Sequence, residues 1–424
     1  MIHWKRLLVP AVVVGALSAP VASASAATVI ASPTVSSPGG VYTVGTPVTF
    51  TFSETVAGTP VAYQYTLNGG ATQTIPAPSG TASAAIVPTR YDNQLVAYAV
   101  AADGTVSGGT IDDFTARAAT PTADKDLNGD GLPDLLTVGN TAGLAPGLWQ
   151  ATGRPAVGGK AGLVNVPATD IGVNGDGLSE PGSPADFDGA QAITGSFFGT
   201  GFQDVLIYYS SGNSAGNGEV VAGQGDGSAL QPVSGSNCNI SSGELADFNG
   251  DNPLQVANAY ASVSDDGLTD LLAVSGDPVN GYSLDYFASD FVPCLFSQAF
   301  AATNVTPDGT ADWNKWTLAT LSDASGTGMF LWNQSTGALY LWQGVTAHDN
   351  GDSTGTFSYT QYLISPHWNR GKSLTTLEAA DLNGDGVPDL WAVTSDGTAR
   401  AYIISNLSAT GRAKITAQRP QKLS

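Results

Sequence analysis

Two nine-residue segments, far apart in the chain, carry the same pattern of oxygen-bearing side chains. Residues 126–134 read DLNGDGLPD and residues 381–389 read DLNGDGVPD. In such a loop, side chains at positions 1, 3, 5 and 9 and the carbonyl of position 7 can converge, because glycine at position 6 permits the turn. Ca²⁺ takes six to eight oxygen ligands in flexible geometry. We therefore predict one structural Ca²⁺ in each loop, with water completing its coordination.

The predicted ligands are the same positions in both loops. In the first loop they are Asp126, Asn128, Asp130, the Leu132 carbonyl and Asp134; in the second they are Asp381, Asn383, Asp385, the Val387 carbonyl and Asp389. Three carboxylates this close repel one another without a cation, which is expected to raise their pKa values. The alternative is an Asx-rich turn that holds no metal.

Several other segments keep only part of this pattern. Residues 195–204 keep the glycine turn and Asp204, and residues 262–270 offer Ser262, Ser264, Asp266 and Asp270. Residues 247–255 and 174–180 are further partial copies, and residues 326–328 retain only glycines. Metal binding at these copies stays open. Glycine persists where ligands are lost, so the turn is the architectural requirement and calcium a local stabiliser.

The elements that must position these loops are apolar strands that follow position 9. Asp134, Asp204, Asp270 and Asp389 each precede such a strand, and the strand around Met329 fills the remaining gap. These strands recur roughly every 60 to 70 residues, with further short strands and glycine turns between them, which is typical of propeller blades. Five blades are visible, and a sixth or seventh too degenerate to align stays open.

The loops differ from those of helix-flanked calcium proteins. An EF-hand needs Glu at position 12, where this chain has Thr137 and Ala392 inside apolar strands. A dockerin loop likewise leads into a helix. A strand directly after ligand 9 resembles the FG-GAP/VCBS repeat of integrin-like β-propellers, over residues 124 to about 405. The resemblance implies a secreted bacterial, Ca²⁺-stabilised β-propeller that takes part in binding or adhesion.

The regions before and after the repeats predict the rest of the domain organisation. Residues 1–26 have a basic start, a short apolar run and a small-residue cleavage site, as in a signal peptide. Residues 27–115 show alternating strands with turns, which predicts a small β-sandwich resembling immunoglobulin-like modules. Residues 116–123 are predicted as a linker, 124–410 as the propeller and 411–424 as a tail. The predicted fold class is all-β.

Composition narrows the partners and the compartment. The formal net charge of −21 argues against nucleic acid or an anionic membrane as partner. No apolar stretch reaches the roughly 18 residues of a membrane span. An exported chain can oxidise Cys238 and Cys294, so we predict a disulfide, the alternative being two buried thiols. We expect a secreted protein whose partner is an extracellular protein or a glycan.

No constellation of residues indicates catalysis. His348 and His367 lack metal-ligand spacing, and no serine lies in a nucleophile elbow. The acidic residues that a glycosidase would need are largely accounted for by the loops. The sequence therefore predicts a non-catalytic binding or adhesion protein. The alternatives are a carbohydrate-binding lectin, for which tryptophans could stack on sugars, and an extracellular polysaccharide-degrading enzyme.

Overall fold

The chain is built from β-strands joined by turns. The structure is a computed structural model that describes residues 30–54, 60–179, 181–232, 238–260, 263, 266–289, 292–323, 326–408 and 413–424. The regular elements of these residues are strands and two short 3₁₀ turns, at Pro184–Phe187 and Trp313–Lys315. The predicted all-β class is confirmed. The predicted signal peptide at 1–26, and the candidate ligands Ser262 and Ser264, lie outside the described residues.

The first eight strands form two sheets around one apolar core. Their bounds are β1 Thr34–Ser36, β2 Tyr42–Thr43, β3 Val48–Ser53, β4 Ala62–Leu67, β5 Gln73–Pro76, β6 Thr81–Ile86, β7 Asp92–Val100 and β8 Thr110–Arg117. One sheet has the order β1-β3-β6 and the other β2-β8-β7-β4-β5. Buried and exposed residues alternate along β3 and β6, so one face of each strand lies against the core. Phe50, Phe52 and Tyr63 are fully buried there.

Five further sheets follow in the described residues, and all their strand pairs are antiparallel. The first contains β9 Leu135–Val138, β10 Leu148–Ala151 and β11 Thr169–Asp170; the second β12 Gln191–Gly195, β13 Asp204–Tyr208, β14 Gly218–Val221 and β15 Asn239–Ile240; the third β16 Gln255–Asn258, β17 Leu271–Asp277, β18 Gly281–Ser289 and β19 Phe296–Thr303; the fourth β20 Trp316–Asp323, β21 Gly326–Asn333, β22 Leu339–Asp349 and β23 Gly355–Ser365; the fifth β24 Leu374–Ala380, β25 Asp389–Thr394, β26 Thr398–Ser405, β27 Lys414–Ala417 and β28 Gln421–Lys422.

The last sheet extends past the boundary predicted at residue 410. Strands β27 and β28, which lie in the segment predicted as a tail, both pair with β26. Leu423 is fully buried in the core that the fifth and first sheets share. This pairing depends on contacts with residues elsewhere in the chain, which is why local composition suggested a tail. The described part of residues 411–424 belongs to the repeat region.

Successive sheets in the repeat region pack on one another through separate apolar cores. The first and second sheets share one core, and the second and third, third and fourth, and fourth and fifth share others. The fifth sheet also shares a core with the first, which includes Leu135, Trp391 and Val393. In the same cyclic order, each of β9, β12, β16, β20 and β24 contacts the next, and β24 contacts β9. These five strands are called the inner strands below.

Side chains join neighbouring inner strands where their backbones do not pair. Gln191 donates its amide N–H to the Leu254 carbonyl at 2.9 Å and accepts the Val256 N–H at 3.1 Å. Gln255 bonds both main-chain groups of Leu318 in the same way, at 3.0 and 3.1 Å. Each amide thus satisfies one donor and one acceptor of the adjacent strand, which would otherwise be left unpaired.

A disulfide joins the second and third repeat sheets. Cys238 and Cys294 are bonded, with their Cα atoms 5.1 Å apart, so the predicted disulfide is present. It connects the segment before β15 with the segment before β19, in adjacent sheets.

The N-terminal sheets contact the second repeat sheet at Gln224, whose side chain accepts the Asp92 N–H at 3.0 Å and donates to the Asp92 carboxylate at 2.9 Å.

Candidate functional site

The first Asp-rich loop is folded around the carboxylate of its first residue. Asp126 Oδ1 accepts the N–H groups of Gly129 and Asp130, at 2.7 and 3.2 Å, and its Oδ2 accepts that of Gly131 at 2.8 Å. Asn128 Oδ1 accepts the Asp130 N–H at 3.0 Å, and Asp130 Oδ1 accepts the Leu132 N–H at 2.9 Å. The side chains of positions 1, 3 and 5 are therefore gathered within one turn.

The second loop repeats this arrangement closely. Asp381 Oδ1 accepts the N–H groups of Gly384 and Asp385 at 2.8 and 3.2 Å, and its Oδ2 accepts that of Gly386 at 2.9 Å. The Asn383 amide donates to Asp385 Oδ2 at 2.9 Å, as Asn128 does to Asp130 at 3.0 Å. Two loops of nearly identical sequence thus adopt the same hydrogen-bond pattern in different sheets.

Position 9 has a different role from the one its spacing suggests. Asp134 accepts the N–H groups of Leu127 and Gly153, both at 3.0 Å, and the Gln150 amide at 2.6 Å. Asp389 accepts the N–H groups of Leu382 and Ile404, at 3.2 and 2.7 Å. Both carboxylates are fully buried. They attach the loop to the strand that pairs with the one following it, which is β10 in the first sheet and β26 in the fifth.

Two sheets that lack the full set of ligands keep the same carboxylate. Asp204 accepts the N–H groups of Phe198 and Gly223 at 2.9 and 3.2 Å. Asp270 accepts those of Val263 and Ser289, both at 2.8 Å. The aspartate at the start of the strand that follows the loop, or directly before that strand, is therefore a repeated architectural contact, called the strand latch below. It is present in four of the five repeat sheets, whether or not positions 1, 3 and 5 carry ligands.

Burial is the main electrostatic influence on the latch residues. Burial raises the pKa of Asp134 to about 6 and that of Asp389 to about 8, and their main-chain hydrogen bonds partly offset the rise. The neighbouring carboxylates Asp385 and Asp381 raise the pKa of Asp389 further. The expected repulsion between loop carboxylates is thus present at position 9, but desolvation is the larger cause there.

The donor set of each loop fits a hard cation at positions 1, 3 and 5. Each loop presents two carboxylates and one amide oxygen there, and oxygen is the ligand that Ca²⁺ takes. In the part of the chain that the structure describes, no three acidic, histidine or cysteine side chains form a group that could hold a metal. The latch carboxylates Asp134 and Asp389 accept N–H groups from their loops and from the strands beyond them, and their predicted part as calcium ligands stays a prediction.

The surroundings of the two loops differ. A Cβ built on Gly129 would lie 2.7 Å from the Gly225 carbonyl oxygen of the second sheet, and Leu127 accepts the Gly227 N–H at 3.2 Å. A Cβ on Gly384, the same position of the second loop, would meet nothing within 4 Å. The first loop therefore packs closely against the neighbouring sheet at Gly129, whereas the second loop has no such contact at Gly384.

The other candidates from the sequence take structural positions. Asp247 accepts the N–H groups of Asn249 and Asp251, both at 2.9 Å, in a loop of similar shape to the two full copies. Of the seven tryptophans that could stack on sugars, Trp149 is partly buried and six are buried in sheet cores: Trp313, Trp316, Trp332, Trp342, Trp368 and Trp391. The sequence did not identify a cavity between the inner strands, or the buried Lys125 beside it, because both depend on residues from several sheets.

Comparisons with known proteins give little support for an identity. Comparison with protein-family models and with curated proteins gives no match. Among solved structures, the chain is similar to the crystal structure of the exotype rhamnogalacturonan lyase YesX. That match has 12% sequence identity and a TM-score of 0.23, and covers 92% of this chain and 83% of the other. A similarity this low carries no argument about fold or activity.

Proposed function

We propose that residues 124–424 form a five-bladed β-propeller that is stabilised by Ca²⁺ and serves as an extracellular binding protein. The observation that carries this proposal is the cyclic packing of the five repeat sheets, in which the fifth shares a core with the first. A closed ring of sheets exposes its loops on two faces, where binding surfaces can form. The N-terminal sheets, a sandwich in this proposal, add a spacer or a second contact surface.

Calcium has a structural part in this proposal. Asp126, Asn128 and Asp130 would hold one ion, and Asp381, Asn383 and Asp385 a second, with the carbonyls of Leu132 and Val387 as further ligands. A bound cation would neutralise carboxylates that otherwise repel one another within a turn. At a tenfold excess of free Ca²⁺ over Kd, each site would stabilise the fold by about 1.4 kcal/mol. Extracellular calcium modules have Kd values of about 10⁻⁴ to 10⁻³ M.

One observation favours an extracellular location. The disulfide between Cys238 and Cys294 is typical of proteins from oxidising compartments. The net charge of −21 suits a partner that is neutral or basic. In the residues described, no helix is long and apolar enough to cross a membrane. Lectin activity and polysaccharide cleavage remain the alternatives, and the same experiment can separate them from protein adhesion.

The test is a binding screen with the purified protein, run in 2 mM CaCl₂ and in EDTA. Immobilised extracellular proteins and a glycan array would be probed with the wild type and with an Asp130→Ala/Asp385→Ala variant. Saturable binding that weakens in EDTA and in the variant supports the proposal, and the class of ligand bound distinguishes adhesion protein from lectin. Release of oligosaccharides from a polysaccharide at catalytic turnover would contradict the non-catalytic assignment.

A further inference from the structure

A polar cavity lies between the inner strands. Its volume is about 370 Å³, and it is lined by residues of all five repeat sheets. Its lining includes the first residues of β12, β16 and β24 together with Lys125 and Glu378. Small-molecule sites commonly have volumes of about 300 to 1,000 Å³ and a few convergent polar groups.

Lys125 is a buried ammonium with unused hydrogen-bond capacity. Its side chain is only 5% exposed, and Nζ donates to the Tyr260 hydroxyl at 3.0 Å. That hydroxyl donates in turn to Asp124 Oδ1 at 2.7 Å. In the described part of the chain, Lys125 forms no ion pair and has this one side-chain hydrogen bond, although an ammonium carries three donors. A buried charge with free donors is costly unless something binds it.

The backbone that holds this cluster is strained. Lys125 and Tyr260 have φ values of 62° and 53°, in the left-handed region that bulky side chains rarely occupy. Each residue in this region costs about 1–2 kcal/mol. Strain of this kind concentrates at functional sites, where the surrounding structure maintains it. The two strained residues contact each other, and Lys125 lines the cavity.

A second buried polar group faces the same cavity. Thr194, in β12, is 3% exposed and lines the cavity, and its hydroxyl has no hydrogen-bond partner among the described residues. Buried hydroxyls are normally paired, so a ligand that reached this one would supply the partner it lacks. Thr137 and Thr376 also line the cavity, and their hydroxyls form a hydrogen bond of 2.6 Å between two inner strands.

We propose that this cavity binds a small neutral polyhydroxylated molecule, a monosaccharide or polyol, between Lys125, Thr194 and Glu378. Hydroxyl groups both donate and accept, so one such ligand could take the free Lys125 donors and supply partners to Thr194. Glu378 accepts the Leu136 N–H through Oε2 at 3.1 Å, which leaves Oε1 as a second acceptor for the ligand.

The charge of the lining favours a neutral ligand. Lys125 and Glu378 are the only charged side chains that line the cavity within the described residues, and Asp124, which accepts the Tyr260 hydroxyl, adds a second carboxylate beside them. Burial raises the pKa of Glu378 to about 7, while Lys125 lowers it. A carboxylate ligand would gain from the ammonium but would face Glu378. A hydroxyl can bond both groups without a net charge entering the cavity.

The test is isothermal titration calorimetry with single probes: glucose, galactose, rhamnose, myo-inositol and glycerol, and separately galacturonate and acetate. Lys125→Met removes the ammonium, and Lys160→Met, at an exposed position, is its matched control. Thr194→Val removes the lone hydroxyl without changing shape. That substitution is expected to leave the fold intact, because it removes an unpaired buried polar atom.

The proposal expects at least one neutral probe to bind with 1:1 stoichiometry. Thr194→Val should weaken that binding about 3- to 10-fold and Lys125→Met about 10- to 100-fold, while Lys160→Met should match the wild type. Binding of carboxylates alone, binding unchanged by Thr194→Val, or no binding of any neutral probe would overturn it.

The inference rests on the proposed function only in treating the chain as a binding protein. Repeating the titration in EDTA separates a failure of the cavity proposal from a failure of the calcium proposal. If the loops hold no calcium, the polyol still binds with unchanged affinity in the presence and absence of Ca²⁺. If the cavity holds only water, the calcium effect on stability persists while the titrations stay flat.

Discussion

Substituting the fourth residue of each Asp-rich loop tests how the loops are seated. Gly129 and Gly384 have φ values of +76° and +73°, so alanine is strained at both positions. The conformational cost is about 1–2 kcal/mol in each case. Only Gly129 approaches another backbone, because its Cβ would lie 2.7 Å from the Gly225 carbonyl oxygen. Overpacking of this kind adds about 1–3 kcal/mol.

We therefore expect Gly384→Ala to lower the free energy of unfolding by about 1–2 kcal/mol, and Gly129→Ala by about 2–5 kcal/mol. Urea unfolding in excess Ca²⁺, followed by tryptophan fluorescence, measures both. Gly131→Ala and Gly386→Ala form a control pair, because both positions have positive φ and a Cβ at either would meet nothing within 4 Å. That pair should lose equal stability.

Equal losses in Gly129→Ala and Gly384→Ala would refute the reasoning. They would show that the first loop does not contact the second sheet, or that the backbone at Gly225 moves away without loss of stability. A large difference between the control variants would also count against it, because it would trace the effect to the loops themselves and not to the contact with Gly225.

Three further predictions concern buried groups outside the calcium loops. Burial raises the pKa of Glu219 from 4.5 to about 8. A raised folded-state pKa means that stability is lost as pH rises between those values, so Glu219→Gln should match the wild-type melting temperature at about pH 4 and exceed it at about pH 9. In a Cys238→Ala/Cys294→Ala variant the free energy of unfolding in urea should fall by about 4 kcal/mol, which is the chain-entropy value for a loop with a sequence separation of 56. Added reductant should lower the stability of the wild type and leave that of the variant unchanged. Asp204→Ala removes the strand latch of the second sheet, so it should lower stability by about 1–3 kcal/mol equally in Ca²⁺ and in EDTA; an effect confined to Ca²⁺ would contradict the latch.

The sequence was informative about strands because the relevant interactions are local. The aspartates at 134, 204, 270 and 389 each stand at the start of a buried strand or directly before it, as the sequence predicted. The strand around Met329 is present as β21 although its aspartate is missing. Apolar runs after a glycine turn determine a buried strand without reference to distant residues.

The function of individual side chains was harder to predict. Position 9 has a calcium-ligand spacing, which did not reveal that Asp134 and Asp389 are buried and accept main-chain N–H groups; their role as ligands stays a prediction. The contact between Lys125 and Tyr260 joins residues far apart in the chain. The alternation of apolar and polar residues does not show which side chains from different sheets meet. The same limit applies to Gln191, whose amide joins neighbouring strands.

Direct titration of Ca²⁺ into EDTA-treated and desalted protein tests the central claim most directly. Calorimetry should show two sites with Kd values of about 10⁻⁴ to 10⁻³ M, accompanied by a higher melting temperature. Asp130→Ala and Asp385→Ala should each remove one site and leave the other, and Mg²⁺ should substitute poorly. No Ca²⁺ binding in the wild type, with a melting curve unchanged by EDTA, would contradict the account.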